Sequence, residues 1–152
     1  MYAKILVPLD GSATSHRGFE EAVAIARKMD SSLRLIHVLD TVPVAMDAVT
    51  SSVWQEMTDA QRKQGEALLE QARQTAKSHG VAADTLLVEG RAERVSDAIV
   101  AEALASRCEL VVMGTHGRRG FSHVMIGSDA ERVVRACPVP VLLVRHPDGA
   151  KR

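Results

Sequence analysis

The stretch ELVVMGTHGRRGFSHVMIGSDAERVV, residues 109–134, decides how the chain is read. It opens on an unbroken apolar run, ELVVMG (109–114), passes through a loop punctuated by Gly114, Gly117, Gly120 and Gly127, and ends in an amphipathic segment. A continuous apolar run of that length, rich in branched residues, suits a strand covered on both faces. Four other runs read the same way: AKILVPL (3–9), SLRLIHVL (32–39), DTLLVE (84–89) and PVPVLLV (138–144). Between them the apolar spacing turns helical. Phe19, Ala22, Val23 and Ala26 form one stripe after Ser12, and Leu68, Leu69, Ala72 and Ala76 form another within a helix over 55–79. Val95, Ile99 and Ala103 form a third, and Val133, Val134 and Cys137 a fourth after Ser128.

Strand and helix alternating to the end predict an α/β fold, a parallel sheet with helices on both faces. Right-handed crossovers leave few arrangements, and five strands fit a single doubly wound domain of order 3-2-1-4-5. The order reverses between strands 1 and 4, where such sheets bind ligands beyond the carboxyl ends of the strands. PLDGS (8–12) and GTHG (114–117) both end there. One domain is expected over residues 1–146, with 147–152 as a polar tail.

Composition limits the partners. A chain of 152 residues forms one domain that buries roughly 70% of the surface its unfolded form exposes. Lys plus Arg number 19 and Asp plus Glu number 19, so no general field draws nucleic acid or anionic lipid. Any anion must be bound locally. Cys108 and Cys137 lack metal or CxxC spacing and read as packed thiols. The opening MYAKILVPLD lacks the length and flanks of a signal peptide or membrane span. A soluble, cytoplasmic protein is expected. The segment 40–52 has no clear period, and reads as either a lid or a surface excursion beside Trp54, which packs the loop or helps to cover a ligand.

Glycines allow close approach to the main chain, and exposed amides followed by a helix start form a concave site of partial positive charge. Gly114, Gly117, Gly127 and Ser128 have that arrangement, with Ser128 a candidate cap and Arg118 and Arg119 as adjacent cations. Neither GxxxxGK[ST] nor GxGxxG occurs, and a strand-to-helix turn carries glycine for local reasons too.

The spacing Gly114-x-x-Gly117, nine residues, Gly127-Ser128 resembles the nucleotide loop of the ATP-binding branch of the universal stress protein family, G-2x-G-9x-G-[S/T]. ILVPLDGS (5–12), His37-Val38, VVMGTHGRRG (111–120) and CPVPVLLVR (137–145) also resemble family segments, in order and over nearly the full chain. The resemblance implies an adenine nucleotide, ATP, as ligand. It implies Pro8, Leu9 and Val38 beside the adenine, Asp10 near the ribose or a bridging Mg²⁺ or Mn²⁺, and Met113 at the base or ribose. Gly114, Thr115, Gly117, Arg118, Gly127 and Ser128 would line the phosphates. It also implies a homodimer, for which the apolar edge strand 138–144 is the expected contact. Two departures from the family pattern stand out: Asp129, where ATP-binding relatives often have an apolar or hydroxyl residue, and GRAER (90–94), without the usual Gly-x-Pro.

His116 lies inside the loop, open to a phosphate contact or to a surface position. The six histidines show no HExxH, and no serine sits in GxSxG. The resemblance implies a stress-response sensor or regulator that binds ATP, and the lack of a well-placed general base or finger-type arginine implies slow hydrolysis at most. The alternative is a dimeric interaction module of the family's non-nucleotide branch. The sequence identifies no protein partner.

Overall fold

The computed structural model describes residues 2–39, 51–89, 94–116 and 126–146. Five parallel strands, β1 (Lys4–Pro8), β2 (Ser32–Leu39), β3 (Ala83–Glu89), β4 (Leu110–Gly114) and β5 (Val141–Val144), stand in the order β3-β2-β1-β4-β5. Helices α1 (Ala13–Met29), α2 (Ser51–Ser78), α3 (Val95–Ala105) and α4 (Ser128–Ala136) connect them. This is the doubly wound order expected from the alternation.

The two-residue period of the strands divides the core. Ile5 and Val7 of β1 face a layer with Phe19, Ala22 and Ala26 of α1 and with Leu69, Ala72 and Ala76 of α2. Leu6 faces the opposite layer, with Ile99 and Ala103 of α3 and Val133 of α4. β1 and β4 are buried on both sides, which is why they read as unbroken apolar runs. A largely buried ion pair links sheet and helix: Arg34 of β2 donates from Nε to Glu102 of α3 at 2.7 Å, with the two side chains 21% and 11% exposed.

Several boundaries differ from the sequence reading. α2 begins at Ser51, before residue 55, and Trp54 is 37% exposed on its first turns beside Val53 and Met57. Its buried stripe starts only at Gly65, so the tryptophan lies outside the described core, and the loop it was expected to pack against lies outside the described residues. Segment 40–50 lies outside the described residues. Helix α4 packs through Ala130 and Val133, while Val134 is 49% exposed, one position off the apolar stripe. β5 is shorter than 138–144 because Pro138 and Pro140 precede it and cannot donate to a ladder.

Candidate functional site

The switch point between β1 and β4 opens into a cleft of about 480 Å³, within the range of ligand pockets. Its floor comes from the end of β1. Leu9 N–H donates to the Ile36 carbonyl at 2.8 Å, and the Leu9 carbonyl accepts from Nδ1 of buried His37 at 2.6 Å. A carbonyl only accepts, so His37 carries its proton on Nδ1. The chain then turns at Gly11, whose φ of 82° suits glycine. Oδ1 of Asp10 accepts from Ser12 N–H at 2.9 Å, and Ser12 Oγ caps α1 by accepting from Ser15 N–H at 3.1 Å. Ser15 Oγ donates to the Ser12 carbonyl at 3.0 Å and accepts weakly from Asp10 N–H at 3.4 Å. The carboxylate is thus fixed in direction before any ligand arrives.

The opposite wall descends from β4. A Cβ on Gly114 would lie 2.7 Å from the Thr14 carbonyl carbon and 2.9 Å from Ser15 N. Its missing side chain therefore admits the start of α1, a packing requirement that the loop pattern did not suggest. Thr115 N–H donates to the Val144 carbonyl at 3.0 Å, and Gly127 N–H to the Thr115 carbonyl at 2.8 Å. These bonds fix both ends of the glycine loop. Thr115 Oγ1 lies 2.9 Å from His116 Nδ1, and the His116 carbonyl accepts a hydrogen bond from Thr14 Oγ1. Nε2 of His116 is buried with no hydrogen-bond partner among the described residues, and the residue lines the cleft.

Pro8, Leu9, Asp10, Val38, Met113, Gly114, Gly127 and Ser128 all border the cleft. Thr115 does not; it is buried behind it at 4% exposure, with its amide already bonded. Gly117 and Arg118 lie outside the described residues. Ser128 is the first residue of α4 and not its cap, which is Gly127, and no side chain caps that helix. The start of α4 borders the cleft, and its cap residue brings no hydroxyl to compete for the first amides.

Sequence reading missed Gln61 and Gln64, which project from α2 into the cleft, and Val95 and Ile99 from α3. Gln61 continues the Gly65, Leu69, Ala72, Ala76 spacing toward the helix start, but Gln64 does not, and neither residue type marks a cleft. Among the described residues no group of three or more His, Cys, Asp or Glu could hold a metal ion. Asp10 and Asp129, both in the cleft, are hard oxygen donors that suit Mg²⁺ only with ligand oxygens completing the sphere. No described helix is long and apolar enough to cross a membrane.

A doubly wound parallel sheet with a glycine-bordered cleft at its reversal defines a class of small α/β ligand-binding domains. Within that class, the Universal stress protein family matches residues 1–145, and the chain belongs to this family. It is 33% identical to Universal stress protein MJ0531 of Methanocaldococcus jannaschii, over 97% of this chain and 84% of the relative. A solved universal stress protein family member from Burkholderia pseudomallei is 31% identical, with a TM-score of 0.76 over 94% of this chain and 96% of its own. More distant solved members share the fold. One, in complex with cAMP, is 23% identical with a TM-score of 0.66 over 95% of this chain and 97% of its own. An Arabidopsis thaliana member with AMP bound is 19% identical, with a TM-score of 0.69 over 96% and 94%.

Proposed function

We propose that the chain is an adenine-nucleotide-binding stress protein of the ATP-binding branch, acting as a sensor or regulator with slow hydrolysis at most. The observation that carries this reading is the convergence of two distant segments. Pro8–Asp10 at the end of β1 and Gly127–Ser128 at the start of α4 border one cleft at the switch point. The apolar walls of Pro8, Val38, Val95 and Ile99 suit a base, and Asp10 suits a ribose hydroxyl. Gly114, Gly127 and Ser128, with the loop residues Gly117 and Arg118, would hold the phosphates at the positive end of α4. When bound, Mg²⁺ or Mn²⁺ would neutralise polyphosphate charge beside Asp10. The complexes of other members with cAMP and AMP support an adenine ligand. We also propose a cytoplasmic homodimer assembled through the edge of β5.

The test is ligand-dependent stability. ATP with Mg²⁺ at about a hundred times its Kd adds roughly 2.7 kcal/mol, a rise of several degrees in Tm for a domain of this size. Gly127→Leu, which fills the cleft beside α4, should remove the rise. No shift with millimolar ATP, ADP, AMP or cAMP would favour the non-nucleotide interaction module. Phosphate release above that of the Gly127→Leu protein would establish turnover.

A further inference from the structure

The residue after the Gly127-Ser128 step is an acid, Asp129, and its place in the fold has a consequence for an anionic ligand. It is the second residue of α4, partly buried, and borders the cleft beside Gly127 and Ser128. The other acid in that first turn, Glu131, does not border it; its carboxylate is engaged by Arg135 at 2.8 Å on the exposed side of the helix. Among the described residues lining the cleft, the titratable side chains are Asp10, Asp129, His37 and His116, with neither lysine nor arginine. His37 is tied to the Leu9 carbonyl. Asp129 thus brings a negative charge to the same helix end whose amides would receive phosphate.

Resting on the nucleotide reading above, we infer that Asp129 selects the ligand by charge: it disfavours a metal-free triphosphate and leaves low-charge adenine nucleotides or metal-bound ATP. Adenosine carries no charge for the carboxylate to oppose. AMP brings one phosphate and ATP three, so the penalty grows along the series. A divalent cation bound with ATP would reverse its sign, with Asp129 able to supply an oxygen ligand. Asp129→Asn removes the charge at nearly constant shape, so comparison along the ligand series reads the effect of that charge.

The experiment is titration calorimetry with adenosine, AMP, ATP in EDTA and ATP in excess Mg²⁺, on the natural chain, Asp129→Asn and Asp129→Glu. Asp129→Asn should tighten metal-free ATP on the order of tenfold, tighten AMP less and leave adenosine unchanged. In Mg²⁺ the gain should shrink or reverse. Asp129→Glu keeps the charge and should retain the natural order of affinities. Asp129→Ser, with a good helix-start residue, replaces the Asn variant if that protein folds poorly. An equal change for adenosine and ATP, or no change for metal-free ATP while Mg-ATP binds, would overturn the inference alone. Failure of every ligand to bind any variant would overturn the nucleotide reading and this inference with it.

Discussion

His37 is 5% exposed, and its Nδ1–H holds the Leu9 carbonyl at the point where β1 leaves the sheet for the cleft. Replacing it by Phe keeps bulk but leaves that carbonyl without its donor, at a cost of about 1–3 kcal/mol. Asn can present an amide N–H near the Nδ1 position and should recover part of the loss; matched urea midpoints for Phe and Asn would refute the role. Cys108 behaves differently. Burial pushes its thiol up to about 11 from the usual 9, so the folded state favours the protonated form. The sign follows from linkage: this contribution to stability is full below pH 9 and lost as pH rises through about 11. Alkylation at pH 8 should therefore proceed only as fast as the protein unfolds, because the reactive species is the thiolate. Rapid labelling of Cys108 in the native protein, read by peptide mass, would contradict this.

Helix α2 reaches the sheet through Gly65, where a Cβ would stand 2.6 Å from Cδ2 of His37 and 2.8 Å from Cδ1 of Leu87. Glycine inside a helix costs up to about 1 kcal/mol against alanine, yet Gly65→Ala should destabilise the protein. The imidazole it would displace is anchored to Leu9, and overpacking of this kind costs roughly 1–3 kcal/mol. A rise in Tm for Gly65→Ala would show that α2 has room to move. This contact also marks the limit of what the sequence revealed. Strand order was legible because β1 and β4, covered on both faces, are continuously apolar and punctuated by Asp10-Gly11 and Gly114-Thr115. The part of the cleft built by α2 was not, because Gln61 and Gln64 are ordinary surface residues by type and become cleft residues only when Gly65 lets the helix close on β2 and β3. The role of Gly114 was hidden for the same reason. Its neighbour in space is Thr14, about a hundred positions away in sequence, and chain order alone attributes such a glycine to its own loop.

At the level of the whole molecule, the proposed dimer rests on the edge of the sheet at β5. Val111 N–H donates to the Pro140 carbonyl and Thr115 N–H to the Val144 carbonyl, at 2.9 Å and 3.0 Å. With a period of two, residues 140, 142 and 144 direct their backbone groups at β4, and Val141 and Leu143 direct theirs outward. Pro140 therefore removes no donor from the free edge, contrary to what its position in the apolar run implies. Two such edges related by a twofold axis can exchange hydrogen bonds through Val141 and Leu143, and Leu142, 38% exposed, adds apolar surface. Leu143→Pro deletes an outward amide while leaving the ladder to β4 intact. If the edge pairs, light scattering at tens of micromolar should give a dimer for the natural chain and a monomer for Leu143→Pro, with unchanged far-ultraviolet circular dichroism. A natural chain that is monomeric under those conditions, or a Leu143→Pro protein that stays dimeric, would remove β5 as the interface.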